Sequence, residues 1–179
     1  NCMTDMLETP EAFATKHHAG QERKYTGLPY ITHPLAVRAL VATVPHTQAM
    51  LDAAVLHDVV EDTAATLEEV ELLFGPDVAE LVSYLTDVST LDDGSRAIRK
   101  ELDRQHLAGA SPNAQTIKLA DLIHNTSNIV DNDPVFARVY LGEKALLLQV
   151  LTKGDPKMYA LAVATLNEAL AKLDTPEGV

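Results

Sequence analysis

The sequence lacks several features on which common functional sites are built. Its 179 residues include one cysteine and no tryptophan. The single cysteine, Cys2, can form neither an intramolecular disulfide nor a paired-cysteine zinc site. P-loops, dinucleotide-type glycine triplets and Gly-x-Ser-x-Gly elbows are also absent from the sequence. We therefore expect packing alone to hold the fold, and histidine and carboxylate side chains to carry any catalysis.

Positive charge is scarce as well. Lysine and arginine number 14 against 26 aspartates and glutamates, which gives a net charge of -12. This balance argues against nucleic-acid and anionic-membrane partners. No apolar run reaches the roughly 18 residues that cross a bilayer, and no signal peptide is visible, so a cytoplasmic location is expected. A small anionic ligand stays compatible, because a metal ion and a few bases can reverse the potential inside one pocket.

Helix signals run along the whole chain. Pro34 and Pro76 stand at predicted first turns, where proline is favoured, with Thr32 or His33 as the cap residue before Pro34. Thr66 with Glu69 predicts a capping box, Gly75 predicts a helix stop, and "PDVAELVSYLTDV" predicts a helix from Pro76 through Val88. No segment alternates convincingly at period two over the length of a strand. The sequence therefore predicts an all-α fold, a bundle of about eight helices in a single domain over residues 1–179.

The stretch "LHDVVED", residues 56–62, places four ionisable side chains in a segment that otherwise looks like a buried helix. Residues four apart share a helix face, so His57 should stack over Glu61 and Asp58 over Asp62. Buried charges are costly unless they are paired or bind a metal, and imidazole with carboxylate suits a divalent transition metal. The alternative interpretation is a helix end that emerges into water, with solvated carboxylates.

Two further segments carry candidate ligands. Asp121 lies among apolar residues in "KLADLIHN", with Asn125 four residues later on the same face, and His33 lies in "YITHP". Alone, Asp121 is typical of a structural hydrogen-bonding group and His33 of an ordinary residue at a helix start. Together with His57 and Asp58 they supply two imidazoles and two carboxylates for one metal, which would lower the pKa of a bound water.

These segments carry a family resemblance. "HAGQERKYTGLPYITHP", "LHDVVEDTAATLEEVELLFGPDVAELV" and "IKLADLIHN" resemble the hydrolase domain of RelA/SpoT proteins, within the HD-domain phosphohydrolases, and look most like the small alarmone hydrolases. The resemblance covers roughly residues 12–130, and the helices of 131–173 should complete the bundle. It implies an HD-domain fold. It also implies a Mn²⁺-dependent 3′-pyrophosphohydrolase that releases pyrophosphate from a purine alarmone, (p)ppGpp or (p)ppApp.

The resemblance also implies roles for individual residues. The four metal ligands would be His33, His57, Asp58 and Asp121. The catalytic carboxylates that position the attacking water would be Glu61 and Asp62. The substrate-binding residues would be Arg23, which packs on the purine, Asn125, which contacts the ribose and phosphate region, and Lys24.

Some positions depart from the family pattern. The family often reads "LADRLHNMRT" where this chain has "LADLIHNTSN", so Leu122 and Ser127 replace basic residues that would face the substrate. The loop after Arg23 also appears one residue longer. Base and phosphate specificity therefore stay open, and so does the oligomeric state. Two alternative functions also stay open: an HD-family phosphatase acting on NADPH or another nucleotide, and a non-catalytic nucleotide-binding module.

Other polar residues receive structural interpretations. Arg99 and Lys100 could approach phosphates, but a solvated helix face is the preferred interpretation. His18 is expected to be structural or solvated, and Tyr30 to be a packing residue.

Overall fold

The computed structural model describes residues 8–174, which form helices joined by loops. Within this range nine helices have eight residues or more and two have four, and no strand is present. The predicted all-α class is therefore confirmed. The chain divides between Asp87 and Val88 into two compact units. The prediction of a single domain over 1–179 stays a prediction, and Cys2 lies outside the described residues.

The first unit is built around a short, mostly apolar helix. Its helices are α1 (Pro10–His17), α2 (Thr32–Val41), α3 (Gln48–Leu56), α4 (Val59–Asp62), α5 (Leu67–Phe74) and α6 (Pro76–Leu85). Helix α3 contacts α1, α2 and α6. Ala53 and Ala54 are fully buried on it, and their small side chains let the neighbouring helices approach closely. The end of α3 is thereby fixed within the core.

Local signals set several boundaries in this unit as predicted from the sequence. Thr66 caps α5, and it forms the capping box with Glu69. Gly75 ends that helix with a φ of 94°, a conformation that favours glycine. Helix α2 differs from the prediction, because Thr32 and His33 lie inside its first turn and Ile31 precedes them without a side-chain cap.

The segment between α1 and α2 folds back on itself. Glu22 and Pro29 form an isolated antiparallel bridge, and the Arg23 N–H donates to the Leu28 carbonyl at 2.7 Å. Gly27 has a φ of 69°, in the left-handed region that this tight turn needs. The loop therefore holds Arg23 by its backbone.

The second unit is built around a long buried helix. Its helices are a 3₁₀ turn (Leu91–Asp93), α7 (Arg96–Ala108), α8 (Pro112–Thr126), α9 (Ile129–Asn132), α10 (Pro134–Leu148) and α11 (Pro156–Asp174). Helix α8 packs against α9, α10 and α11. No helix in residues 8–174 is both long and apolar enough to cross a membrane.

A buried amide fixes the first half of α8. Gln115 is fully buried and donates to the carbonyls of Leu107 at 3.0 Å and Val150 at 3.2 Å. Its own carbonyl accepts from the Lys153 N–H at 2.9 Å. A Cβ on Gly154 would lie 2.5 Å from the Leu119 side chain, so this loop approaches α8 too closely for any larger residue. Polar contacts with the last turn of α7 and with the loop between α10 and α11 thus hold the start of α8 in place.

Candidate metal centre and its surroundings

The helix predicted to run through "LHDVVED" is interrupted at the candidate ligands. Helix α3 ends at Leu56, and α4 begins at Val59. His57 Nδ1 lies 2.6 Å from the Ala54 carbonyl oxygen, the acceptor that the Asp58 N–H would use in a continuing helix. The imidazole therefore competes with the backbone for that acceptor, which accounts for the break at this point. The predicted stacking of His57 over Glu61 on a continuous helix is wrong.

This hydrogen bond also determines the state of the His57 ring. A carbonyl oxygen only accepts, so Nδ1 carries the hydrogen and a neutral ring presents a lone pair at Nε2. His57 Nε2 lies 3.0 Å from Asp58 Oδ2, which is also an acceptor. Two lone pairs at this distance repel each other unless a cation or proton lies with them. The pair is therefore suited to sharing a cation.

His33 brings a second imidazole to the same carboxylate. It lies in the first turn of α2 and is fully buried. His33 Nε2 is 3.7 Å from Asp58 Oδ2, and its ring centroid is 5.3 Å from that of His57. One ligand atom from each of His33, His57 and Asp58 lies within 4.8 Å of the others. This His/Asp cluster can hold a divalent metal, because imidazole and carboxylate are ligands that such metals accept.

Tyr30 belongs to the cluster, although the sequence suggested only packing. Its hydroxyl donates to Asp58 Oδ2 at 2.6 Å, and it also hydrogen-bonds Asp62. Tyr30 therefore orients a candidate ligand and touches a candidate catalytic carboxylate. The signal was present in "YITHP", where Tyr30 precedes His33 by three residues, but a tyrosine at that position is equally typical of a core residue.

A buried histidine packs against the ring of Tyr30. His18 is buried, its ring centroid lies 4.7 Å from that of Tyr30, and its Nδ1 is 2.9 Å from Gln21 Oε1. The other ring nitrogen, Nε2, is buried with no hydrogen-bond partner among residues 8–174. The ring therefore acts mainly as a packing surface for Tyr30, which agrees with the structural role expected for His18.

The two candidate catalytic carboxylates, Glu61 and Asp62, are the last two residues of α4. Burial by neighbouring groups raises the pKa of Glu61 to about 8, and a hydrogen bond with Asp87 and the charges of Asp58 and Asp62 act in the same direction. Burial likewise raises the pKa of Asp62 to about 6, with a further contribution from the Asp58 charge. Carboxyl groups with raised pKa values can exchange a proton with water near neutral pH.

Asp87, which the sequence did not single out, therefore belongs with Glu61. It follows α6, which ends at Leu85 rather than continuing through Val88 as predicted. Two carboxyl groups joined by a hydrogen bond share one proton, since like charges at that distance cannot both ionise easily. No local sequence pattern distinguishes Asp87 from the other acidic residues of the chain.

The candidate purine-binding residues lie in the loop before α2. Arg23 is half-buried and Lys24 is exposed, with the Lys24 ammonium 5.4 Å from the centroid of the Tyr25 ring. Their roles in substrate binding stay predictions.

In the second unit, Asp121 sits in a network of its own. It is buried in α8, where Lys118 Nζ donates to its Oδ2 at 2.8 Å and Asn125 Nδ2 to its Oδ1 at 3.1 Å. The prediction that Asn125 shares a face with Asp121 is confirmed. Each carboxylate oxygen therefore accepts a hydrogen bond from a neighbour on the same helix, and these two bonds fix its orientation.

Two expectations about this unit change. Leu122 is fully buried, so the missing base at this position reflects core packing rather than a substrate contact. Arg99 and Lys100 are half-buried, and Arg99 Nε has no hydrogen-bond partner among the described residues, so the solvated face expected for them is wrong. Lys144, which the sequence did not single out, lies close enough to Lys118 and Asp121 for their charges to alter its pKa.

Comparison with known proteins extends over most of the chain. Residues 11–141 match the model of the HD domain family. The chain is 40% identical over 126 residues to guanosine-3′,5′-bis(diphosphate) 3′-pyrophosphohydrolase MESH1 from Homo sapiens, with 69% of each protein covered. It is 37% identical over 123 residues to GTP pyrophosphokinase rsh from Brucella ovis, of which the match covers 16%.

A solved structure gives the same result in three dimensions. A metazoan ortholog of SpoT, described as hydrolyzing ppGpp, superposes with a TM-score of 0.79 at 30% identity. The superposition covers 89% of this chain and 92% of that one. The range matched by the family model, residues 11–141, includes His33, His57, Asp58, the α4 carboxylates and Asp121.

Proposed function

The chain belongs to the HD-domain family, and we propose that it is a metal-dependent 3′-pyrophosphohydrolase that releases pyrophosphate from a purine alarmone such as ppGpp. The observation that carries the proposal is the His57–Asp58 pair. Its geometry sets an imidazole lone pair against a carboxylate oxygen, an arrangement that a cation stabilises. The human relative carries this activity in its name, and the metazoan SpoT ortholog is described as hydrolyzing ppGpp.

We propose that the metal is held by His33, His57 and Asp58, with Asp121 of the second unit as the fourth ligand. The place of Asp121 rests on the family pattern and on its own environment, a buried and oriented carboxylate. Mn²⁺ is the proposed ion, since two imidazoles and two carboxylates suit a metal that also keeps water ligands. When bound, such a metal lowers the pKa of water and offsets the negative charge of the phosphate.

The carboxylates of α4 would handle the proton of the attacking water. Asp62, with a pKa of about 6, is ionised at neutral pH and is the better proton acceptor. Glu61, with a pKa of about 8, would keep its proton near neutral pH and would orient the water through hydrogen bonds. The water would attack the phosphorus on the 3′ oxygen, and the bond between that phosphorus and the 3′ oxygen would break. The ribose 3′ oxygen would keep the electron pair and take up a proton, and the pyrophosphoryl group, now bonded to the water oxygen, would be released as pyrophosphate.

Three residues would hold the nucleotide. Arg23 would stack its guanidinium on the purine, with Lys24 nearby, because a planar cation packs well on an aromatic ring. Asn125 would contact the ribose and phosphate region. A stacking contact does not discriminate strongly between purines, so we propose that adenosine alarmones are accepted as well as guanosine alarmones.

The identity of the released phosphate tests this proposal. The purified protein, stripped with EDTA and reloaded with Mn²⁺, Zn²⁺ or Mg²⁺, should be incubated with guanosine and adenosine 3′-diphosphates and with NADPH. We expect pyrophosphate from the 3′-diphosphates, with the highest rate in Mn²⁺. Release of orthophosphate from NADPH alone would instead establish the phosphatase, and nucleotide binding without turnover in any metal would establish the non-catalytic module.

A further inference from the structure

A cleft opens in the second unit, where α11 lies against α8 and α9. Its volume is about 470 Å³, within the range of roughly 300–1,000 Å³ that small-molecule sites occupy. Ile123 lines it from α8 and follows Asp121 by two positions, so the two side chains project from opposite sides of that helix. The cleft is therefore separate from the residues proposed for the metal and the reaction.

Three apolar side chains line the cleft. Ile123 of α8 and Ala169 of α11 are buried, and Val130 of α9 is half-buried. One apolar side chain thus comes from each of the three helices. Burying hydrocarbon against such surfaces is favourable, so the cleft suits a ligand with an apolar body.

Three hydroxyl groups line the cleft, and all of them are already used as donors. Thr126 and Thr165 each donate to a carbonyl four residues earlier, at 2.7 and 2.8 Å, and Ser127 donates to one three residues earlier, at 2.7 Å. A hydroxyl has one hydrogen and two lone pairs, so each of the three can offer a ligand only an acceptor. The neutral polar side chains of the cleft therefore suit a ligand that donates hydrogen bonds.

The charged residues of the cleft leave an excess of negative charge. Glu168 and Lys172 line it from α11. The Lys172 ammonium lies 3.1 and 3.3 Å from the two carboxylate oxygens of Asp131, so that its positive charge is offset. Within residues 8–174, Glu168 belongs to no ion pair. The hydroxyls and the net charge thus favour the same kind of ligand, one that donates hydrogen bonds and is positively charged.

We propose that this cleft binds a small organic cation, a primary ammonium ion with a hydrocarbon body. The ammonium group has three hydrogens to donate and no lone pair, which matches the hydroxyl oxygens and the Glu168 carboxylate. The hydrocarbon body would contact Ile123, Val130 and Ala169. An anionic ligand would instead bring its acceptor oxygens against other acceptors. The inference goes beyond the function proposed above and does not depend on it.

Three ligands that share a hexyl chain and differ in the head group test the inference: n-hexylammonium, 1-hexanol and heptanoate. Their binding is measured by titration of methyl resonances in NMR spectra of the whole chain, with EDTA present so that no metal contributes. We expect the methyl signals of Ile123, Val130 and Ala169 to shift on addition of hexylammonium. The dissociation constant should be lowest for the ammonium, higher for the alcohol and highest for the carboxylate.

Glu168→Gln removes the excess negative charge of the cleft and keeps the size of the side chain. Because Glu168 is exposed, we expect affinity for hexylammonium to fall about two- to fivefold, the range of a surface ion pair, and affinity for hexanol to be unchanged. Asp92→Asn is the matched control, an exposed aspartate of the 3₁₀ turn that does not line the cleft. It should keep wild-type affinity for all three ligands.

The control separates binding in the cleft from general attraction of cations to a chain whose net charge is -12. Absence of methyl shifts at the cleft with hexylammonium overturns the inference, and so do equal affinities for the three ligands. An equal loss of affinity in Glu168→Gln and Asp92→Asn has the same consequence. Both substitutions are at exposed positions, and unfolding temperatures show whether the variants are intact.

Discussion

The two units of this chain hold their charged residues in opposite ways. In the first unit, two imidazoles and several carboxyl groups surround Asp58, and the acids raise each other's pKa values. In the second unit, one buried carboxylate, Asp121, is accompanied by three lysines. The first arrangement is suited to binding a cation and to moving protons, and the second fixes the orientation of one carboxylate. A phosphate ester hydrolase that works with a metal needs both.

The backbone supports the two arrangements differently. His57 and Asp58 lie where α3 is interrupted, so their positions depend on the hydrogen bond from His57 to Ala54. Lys118, Asp121 and Asn125 lie on one uninterrupted helix, whose spacing alone brings them together. The proposed ligand from the second unit should therefore be the more tolerant of changes around it, and the ligands of the first unit the more sensitive.

Removing one ligand from each unit should give the largest effects. We expect Asp58→Ala and Asp121→Ala each to lower turnover by more than about 100-fold. Loss of a residue that only orients a metal ligand costs up to about 100-fold, and each of these variants loses a proposed ligand itself. Bound metal per chain, measured by mass spectrometry of the dialysed protein, should fall in both variants. Asp77→Ala, an exposed aspartate on α6, is the control.

Unequal results would break the comparison between the units. Retention of metal and turnover by Asp121→Ala, with loss of both in Asp58→Ala, would confine the metal to the first unit and remove Asp121 from the ligand set.

Replacing the proposed proton acceptor should have the next largest effect. We expect Asp62→Asn to lower kcat by about 10²- to 10⁴-fold, the usual contribution of a general base, while metal content is unchanged. Stopped assays of pyrophosphate release measure the rate, and Glu68→Gln on the exposed first turn of α5 is the control. Wild-type kcat in Asp62→Asn would assign proton transfer to another group.

Removing the Tyr30 hydroxyl should have a moderate effect. Tyr30→Phe leaves the ring on His18 but removes the hydrogen bond to Asp58, so metal affinity should fall about 10-fold, as for other outer-shell partners. Competition with a fluorescent chelator measures the affinity. Tyr159→Phe, which removes a hydroxyl bonded to the Leu148 carbonyl in the second unit, should leave the affinity unchanged. An equal loss in both variants would mean that the effect is one of general stability.

The smallest effect concerns stability and pH in metal-free protein. The folded pKa of Glu61, about 8, lies above its ordinary value of 4.5, so the folded state binds the proton more tightly than the unfolded state. This contribution favours folding at low pH and is lost as the pH rises from 4.5 to about 8. We therefore expect Tm in EDTA to decline less steeply over this range in Glu61→Gln than in wild type. Parallel curves for the two proteins would contradict the shift, and Glu68→Gln should follow wild type.

The parts of the fold that were predictable depend on neighbours in sequence. The capping box of Thr66 and Glu69, the stop at Gly75 and the spacing of Asp121 and Asn125 are local, and each is confirmed. The interruption after Leu56 was not predictable in this way. It depends on the His57 side chain competing with the backbone for the Ala54 carbonyl, and the periodicity of apolar residues does not reveal that competition.

The missed residues share a different property. Tyr30 reaches Asp58 across 28 positions of sequence, and Lys144 lies near Lys118 only because α10 packs beside α8. Asp87 meets Glu61 through the end of α6. Such contacts exist only once the helices are packed, whereas the candidate ligands lay within motifs that the sequence itself displays.

The buried Gln115 has a consequence for altering specificity. Its three backbone hydrogen bonds, together with the close approach of Gly154 to Leu119, clamp α8 at the end away from Ser127 and Asn128. Libraries that randomise those two later positions should therefore yield folded variants with Asp121 undisplaced. Selection for a new purine preference can therefore start at Ser127 and Asn128, while Gln115 and Gly154 should be kept unchanged.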